Sequence, residues 1–192
     1  IDHDAAASHG VTVLNTPGAF APEVADVVIG YAVMLTRHLH RIDQAIREGT
    51  WATPRGISLR DKTLGIIGVG NIGTAVARRG VALEMDLLGH DVVPIDPTLK
   101  DTTGMVPVEI DELFRRSDLV TLHCPLTPDT EGLVGAEQLG LLGPDGYLIN
   151  TARGRLIDQS ALIDALRGEA IAGAALDVFE TEPLSATSPL TD

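Results

Sequence analysis

An arginine occupies an unusual place in the sequence, directly after an apolar stretch with the composition of a buried strand. Arg153 follows residues 147–150 and lies between two small residues, Ala152 and Gly154. An arginine side chain is always charged, and its planar guanidinium binds a carboxylate through two parallel hydrogen bonds. Because such a charge is costly to desolvate, its position directly after a buried strand needs an explanation.

A glycine-rich loop is the second feature that could do chemistry. Residues 68–73 read Gly-Val-Gly-Asn-Ile-Gly, between an apolar strand-like segment and a helix-like one. In this context Gly68 permits a tight turn, Gly70 lets a pyrophosphate approach the backbone, and Gly73 lets the helix pack closely on the strand. The helix N-terminus adds free N–H groups and the positive end of the helix dipole. The pattern predicts a dinucleotide-binding loop.

An acidic residue lies at the distance from this loop that such a site requires. Asp91 is 18 residues after Gly73 and ends a strand-like segment, so its carboxylate can accept both hydroxyls of an adenosine ribose. No arginine follows it, and a 2′-phosphate would meet an unpaired carboxylate, which favours NAD over NADP. The alternative is that Asp91 is a surface turn residue. Asp86 begins the same strand, and Asp96 is assigned to the loop after it.

Polar residues also follow the later strands, and ligands of open parallel sheets bind beyond the carboxyl ends of strands. One strand ends at residues 123–125, where Pro125 and Pro128 stiffen a loop that could lie against a nicotinamide ribose. His123 is interpreted as a strand-end histidine with no acid–base task. Cys124 is interpreted as a packing residue rather than a nucleophile, because nothing nearby clearly lowers its pKa.

Two acidic residues accompany the last strand. Asp177 ends it, and Glu182 follows just before Pro183. Taken alone, Asp177 would be a helix or turn cap and Glu182 a solvated loop charge. Because both share one sheet edge with the glycine loop and Arg153, we expect them to belong to the site.

The elements that position these residues alternate along the chain. The sequence predicts strands at 11–14, 63–67, 86–90, 106–108, 119–123, 146–150 and 172–177, and helices at 22–39, 72–83, 110–116 and 160–167. Residues 49–62 are a polar loop. Strands that alternate with helices imply βαβ units and a parallel sheet. The expected fold is therefore α/β, a Rossmann-type doubly wound parallel sheet in a three-layer α/β/α arrangement.

Composition limits the possible functions. Hydrophobic residues make up 44% of the 192 residues but aromatics only 3%, so the core must be aliphatic. A net charge of −13 argues against binding to nucleic acid or to an anionic membrane surface. No apolar run reaches the roughly 18 residues of a membrane span. One cysteine excludes an internal disulfide, so we expect a cytoplasmic protein, and we expect no metal site.

Five segments, taken in order, resemble the D-isomer specific 2-hydroxyacid dehydrogenases, the family of phosphoglycerate, glycerate/hydroxypyruvate and D-lactate dehydrogenases. They are NTPG, TLGIIGVGNIG, SDLVTLHCPLTPDTEGLV, LINTARGRLID and GAALDVFETEPL. The resemblance runs through essentially the whole chain, and the ordered set is far more specific than a lone glycine motif. It implies a nucleotide-binding domain inserted into a smaller substrate domain, with the active site in the cleft between them.

The resemblance also implies roles for individual residues. In the family, an arginine binds the substrate carboxylate, a histidine acts as acid and base, and a glutamate orients that histidine and raises its pKa. Arg153 and Glu182 match the arginine and the glutamate. The cofactor-binding residues expected from the glycine loop and the resemblance together are Gly68, Gly70, Asn71, Ile72, Gly73, Asp91, Cys124, Pro125, Thr130, Thr151, Ala152, Arg153 and Asp177.

The chain also departs from the family pattern. The family histidine comes after the glutamate, and none of the six histidines of this chain matches it. We therefore expect a fragment: residues 1–16 a remnant of the substrate domain and hinge, 17–184 the NAD-binding domain, and 185–192 a hinge to a further part. Such a piece is expected to bind NAD weakly and to turn over nothing. Glu84 replaces a usual glycine and His90 a common aromatic, and neither is expected to abolish NAD binding.

The expected function is hydride transfer between NAD(H) and a D-2-hydroxy or 2-keto acid of the phosphoglycerate, hydroxypyruvate or glyoxylate type. One alternative is a non-catalytic NAD-sensing module similar to the C-terminal-binding-protein corepressors. Another is a relative that uses NAD differently, such as adenosylhomocysteine hydrolase or phosphite dehydrogenase. The helix at 22–39 is apolar on nearly every face and matches the family's dimer-forming region, so a homodimer is expected; an interior helix is the alternative.

Overall fold

A computed structural model describes residues 1–191 and shows a six-stranded, fully parallel sheet with the strand order β3-β2-β1-β4-β5-β6. The strands are β1 (Thr63–Ile67), β2 (Asp86–His90), β3 (Val106–Pro107), β4 (Leu119–Leu122), β5 (Tyr147–Asn150) and β6 (Gly173–Leu176). The first strand, β1, lies in the centre of the sheet. Strands β2 and β3 extend the sheet to one edge, and β4, β5 and β6 extend it from β1 to the other edge. This is the doubly wound topology expected, and it places the switch point between β1 and β4.

Helices cover both faces of the sheet. The helices among residues 1–191 are α1 (His3–Ser8), α2 (Ala21–Arg37), α3 (Leu39–Arg47), α4 (Asn71–Ala82), α5 (Pro97–Thr103), α6 (Ile110–Arg116), α7 (Ala136–Leu142) and α8 (Gln159–Arg167), with single 3₁₀ turns at Gly154–Leu156 and Pro189–Thr191; α1 has no buried residue. Among residues 1–191, none of these helices combines the length and apolar composition of a membrane span.

Two aliphatic cores lie on opposite faces of the sheet. On one face α2 and α4 pack over β1 and β5, with Val28, Ile66, Val76 and Ile149 all fully buried. On the other face α6, α7 and α8 pack around residues such as Phe114, which is also fully buried. Strands β4 and β5 are buried along their entire length, as expected for strands covered on both sides. The sequence expectation of an aliphatic three-layer fold is confirmed.

Several local expectations were wrong. Residues 11–14 form no strand. The helix expected at 22–39 ends at Arg37, because His38 takes a left-handed conformation with φ of 55° and starts α3 in a new direction. Asp96 does lie in the loop after β2, but the sequence analysis did not predict α5, the helix that Asp96 caps by accepting a hydrogen bond from the backbone N–H of Thr98.

Candidate functional site

The glycine loop joins β1 to α4 at the centre of the sheet, and two of its glycines are required by packing. Gly68 has φ of +89°, and a Cβ there would lie 2.5 Å from the backbone nitrogen of Cys124. A Cβ on Gly73 would lie 2.1 Å from the carbonyl oxygen of Gly68. Real Cβ atoms do not approach backbone so closely, so these two positions fix the crossing of β1, β4 and α4.

Gly70 has a different role. A Cβ at this position would meet no atom within 4 Å. Packing inside the protein therefore does not require glycine here, and its small size keeps the space outside the backbone open. Gly70 is also the N-cap of α4, which has no side-chain cap. The N–H groups of the first turn, from Asn71 onward, are therefore free to bind an anion, as in dinucleotide sites. The loop fits a pyrophosphate.

Asp91 directly follows β2, forms a hydrogen bond with the glycine loop and lines a cleft beside it. Its Oδ2 accepts the N–H of Val69 at 2.7 Å and its Oδ1 accepts the N–H of Val93 at 3.1 Å. A carboxylate has further lone pairs, so these bonds orient the group and leave acceptors for ribose hydroxyls. Asp91 lines a cleft of about 450 Å³ whose other walls are Gly68, Gly70, His90, Cys124, Pro125 and Thr130, among others. The structure thus brings Asp91 together with other residues expected to bind the cofactor.

The loop after β4 forms the far wall of this cleft. Thr130 Oγ1 donates to the carbonyl oxygen of Pro125 at 2.7 Å and accepts the N–H of Thr127 at 2.8 Å. The hydroxyl therefore shapes the loop in addition to lining the cleft. Burial raises the pKa of the Cys124 thiol, which agrees with its interpretation as a packing residue.

A second cleft, of about 320 Å³, opens on the other side of the glycine loop. It is lined by residues 18–21 at the start of α2, by Gly70, Asn71 and Ile72, and by His123 and Thr16. Asn71 and Ile72 thus face a cavity, as expected. His123 lines both clefts.

Asn150, which the sequence analysis did not select, shapes the turn that carries Arg153. It is fully buried at the end of β5. Its Oδ1 accepts the N–H of Ala152 at 3.0 Å, and its Nδ2 donates to the carbonyl oxygen of Arg153 at 2.9 Å. Arg153 itself is exposed, and its Nη1 donates to the carbonyl oxygen of Ala152 at 2.5 Å. An asparagine at the end of an apolar strand was the available sequence signal.

Gly154 joins the turn after β5 to the loop after β6. A Cβ at Gly154 would lie 1.9 Å from the carbonyl carbon of Phe179, so only glycine lets the two loops meet. Glu182 lies in the second loop and is exposed, and its Oε1 accepts the N–H of Phe179 at 3.0 Å. Arg153 and Glu182 are therefore on adjoining loops at one edge of the sheet, and within residues 1–191 no hydrogen bond or ion pair joins their side chains.

Asp177 directly follows β6, and Tyr31 of α2 forms a hydrogen bond with it. Its Oδ1 accepts the hydroxyl of Tyr31 at 3.3 Å, and its N–H donates to the carbonyl oxygen of Asn150 at 3.0 Å. Burial raises the pKa of the Tyr31 phenol, and the Asp177 carboxylate raises it further. Tyr31 was not selected from sequence, because helix periodicity alone does not reveal a contact with a strand 146 residues later.

Buried polar atoms that lack a partner also mark the site. Within residues 1–191, three buried side-chain atoms have no hydrogen-bond partner: Ser117 Oγ, His123 Nδ1 and Thr151 Oγ1. Burial lowers the pKa of His123 from 6.5 to about 4, so the ring is neutral at physiological pH. This agrees with the expectation that His123 has no acid–base task, and it leaves open what the ring binds.

Fold and site together define a dinucleotide-binding α/β domain with an exposed arginine, Arg153, at the same edge of the sheet. Residues 29–192 match the family described as D-isomer specific 2-hydroxyacid dehydrogenase, NAD binding domain. The chain belongs to this family and corresponds to its NAD-binding domain. The resemblance inferred from the five segments is confirmed.

Individual relatives agree. D-3-phosphoglycerate dehydrogenase of Methanocaldococcus jannaschii is 40% identical over 186 residues, covering 95% of this chain and 35% of that protein. Glyoxylate reductase of Thermofilum pendens is 39% identical over 197 residues, covering 100% of this chain and 58% of that protein. A crystal structure of Aquifex aeolicus D-lactate dehydrogenase with NAD and lactic acid superposes with a TM-score of 0.86 at 36% identity, covering 95% and 55% of the two chains. The chain therefore spans from about a third to three fifths of the length of these relatives.

Proposed function

We propose that this chain supplies the NAD-binding half of an enzyme that transfers a hydride between NAD(H) and a D-2-hydroxy or 2-keto acid, of the phosphoglycerate, hydroxypyruvate or glyoxylate type. The observation that carries the proposal is the common edge of the sheet. Asp91 after β2, the open glycine cradle after β1, Arg153 after β5 and Glu182 after β6 all lie at the carboxyl ends of parallel strands. Similar proteins include a glyoxylate reductase of Thermofilum pendens and a hydroxypyruvate reductase of Thermotoga maritima.

Each group has a proposed task in this reaction. NAD, when bound, accepts or supplies the hydride. The Arg153 guanidinium, which forms no ion pair within residues 1–191, binds the substrate carboxylate and the oxygen next to it. Glu182 orients a histidine that acts as acid and base. The cofactor contacts are proposed at Gly68, Gly70, Asn71, Ile72, Gly73, Asp91, Cys124, Pro125, Thr130, Thr151, Ala152, Arg153 and Asp177.

We propose the domain limits expected from sequence: residues 1–16 belong to the substrate domain and hinge, 17–184 to the NAD-binding domain and 185–192 to a second hinge. The 192-residue chain is then expected to bind NADH without turnover. The state of His123 supports this, because an imidazole whose pKa is about 4 is a poor proton donor at neutral pH.

Binding and chemistry are tested separately. NADH is titrated into the purified chain and followed by its fluorescence, and hydroxypyruvate or glyoxylate is then added while NADH absorbance is recorded. We expect saturable binding of NADH, weaker binding of NADPH, and no oxidation. Oxamate, a 2-keto acid analogue, is expected to bind the NADH-loaded chain, and Arg153→Gln to abolish that binding while NADH affinity changes little. Absence of NADH binding would contradict the proposed function.

A homodimer through α2 is also proposed. The buried side of α2 faces the sheet through Ala25, Val28 and Ala32, while Val27 on the same helix and Ile46 on α3 are 41% and 51% exposed. Sedimentation should show a dimer, and the paired substitutions Val27→Asp and Ile46→Asp should convert it to a monomer that still binds NADH. A wild-type monomer at high concentration would contradict this interface.

A cytoplasmic location is proposed as well, supported by the single cysteine, which has no partner for an internal disulfide.

A further inference from the structure

Two of the three unpartnered buried atoms belong to residues at the carboxyl edge of the sheet. Strands β4 and β5 pair in parallel with Leu122 opposite Asn150, so the next residues, His123 and Thr151, occupy neighbouring positions on one face. Neighbouring strands are about 4.8 Å apart. The third atom, Ser117 Oγ, precedes β4 and so belongs to the opposite edge. The carboxyl edge thus carries a pair of polar side chains that the protein itself does not satisfy.

The hydrogen bond to Thr121 determines what His123 offers. Thr121 is fully buried, and its Oγ1 lies 3.0 Å from His123 Nε2 with no other partner among residues 1–191. If Nε2 carried the proton, the Thr121 hydroxyl proton would have no acceptor. If Thr121 donates to Nε2, every group except Nδ1 is satisfied, so Nδ1 carries the ring proton. His123 then presents a neutral N–H donor, and Thr151 a hydroxyl that can donate or accept.

The order of strands indicates which part of the dinucleotide meets this pair. Adenosine is assigned to Asp91 after β2, and the pyrophosphate to the loop after β1. The sheet order β2-β1-β4-β5 then directs the rest of an extended dinucleotide over β4 and β5. The first group past the pyrophosphate is the second ribose, whose hydroxyls both accept and donate hydrogen bonds. His123 also lines the two clefts on either side of the pyrophosphate loop.

We propose that His123 Nδ1–H and Thr151 Oγ1 together bind a hydroxyl of the nicotinamide ribose, with Thr121 fixing the tautomer of His123. The inference rests on the proposed binding of NAD. It makes His123 a cofactor-binding residue with no proton-transfer task. A buried N–H left without an acceptor is costly, and binding of the ribose removes that cost.

The test compares three ligands that differ in the second ribose. NADH and ADP-ribose contain it, whereas ADP ends at the pyrophosphate. His123→Leu and Thr151→Val are expected to weaken NADH and ADP-ribose roughly 3- to 10-fold, the value of one hydrogen bond, and to leave ADP unchanged. His123→Asn places an amide N–H at the position of Nδ1 and is expected to bind NADH within about twofold of wild type. The double variant should weaken NADH by less than the product of the two single effects.

Nitrogen NMR of the wild-type chain gives a readout that does not depend on the variants folding. The Nδ1 resonance of His123 should report a protonated Nδ1 and should shift on addition of ADP-ribose but not of ADP. Three results would overturn the proposal: unchanged NADH affinity in His123→Leu, equal losses of NADH and ADP, or an Nδ1 resonance that ADP-ribose does not move. If the wild-type chain bound neither ADP nor NADH, the proposed function would fail with it.

Discussion

The buried imidazole of His123 should make the stability of the protein depend on pH in a defined window. Burial lowers the pKa of His123 from 6.5 to about 4 in the folded state. Between these two values the unfolded chain binds a proton that the folded chain does not, so the free energy of unfolding rises with pH. The full contribution is about 3 kcal/mol. This contribution to stability is fully present at pH values above the unfolded-state pKa of 6.5, and it is lost as the pH falls toward the folded-state pKa of about 4.

His123→Asn removes the titrating group and keeps the size and polarity of the site. Urea unfolding of both proteins, followed by circular dichroism, gives the free energy of unfolding at each pH. From about pH 7.5 to about pH 4.5 the wild type should lose about 2.5 kcal/mol more than the variant. The carboxylates that also titrate in this range are common to both proteins, so the difference isolates His123. Parallel pH profiles would refute the burial of a neutral His123.

Three further substitutions test other parts of the site and its support. Gly70→Ala should keep the stability of the wild type and weaken NADH binding at least about 10-fold, since its Cβ enters open space that the pyrophosphate needs. Gly73→Ala should instead lower the free energy of unfolding by about 1–3 kcal/mol, because its Cβ meets backbone. Asp91→Ala should weaken NADH about 10-fold and NADPH far less, so a preserved preference for NADH would contradict the role of Asp91. Glu84 has a left-handed backbone with φ of +59°. The free energy of unfolding should be about 1 kcal/mol higher for Glu84→Gly than for Glu84→Ala, because both variants lose the Arg60 ion pair but only glycine adopts this φ without strain.

The sequence was sufficient to predict the sheet and the edge that carries the site. Residue patterns in parallel strands are nearly continuous apolar runs, so β1, β4 and β5 were placed to within about a residue. The carboxyl-end rule then selected Asp91, Arg153 and Asp177 from position alone. These predictions depend on local composition and on a topological rule, and neither requires knowledge of side-chain contacts.

The expectations that failed depend on contacts that no local pattern encodes. The left-handed backbone of His38 ends the apolar helix α2 and precedes α3. No glycine or proline beside His38 indicates this break in the sequence. Asn150 and Tyr31 act on the site through partners that the fold brings to them. Glu84 is an intermediate case, since the resemblance marked the position as one for glycine, and the structure shows the positive φ that explains why.

The last prediction concerns the adjoining loops after β5 and β6, which can pack together only if residue 154 has no Cβ. A Cβ on Gly154 would overlap the backbone of Phe179 at 1.9 Å, and backbone cannot move aside as a flexible side chain can. Gly154→Ala should therefore separate the loops of Arg153 and Glu182, lower the free energy of unfolding by about 1–3 kcal/mol and weaken oxamate binding to the NADH-loaded chain, while ADP affinity stays constant. Gly140→Ala is the matched control: its Cβ meets no atom within 4 Å inside α7, so it should stabilise the protein by roughly 0.5–1 kcal/mol. Equal stability of the two variants would show that the loops are not held together at Gly154.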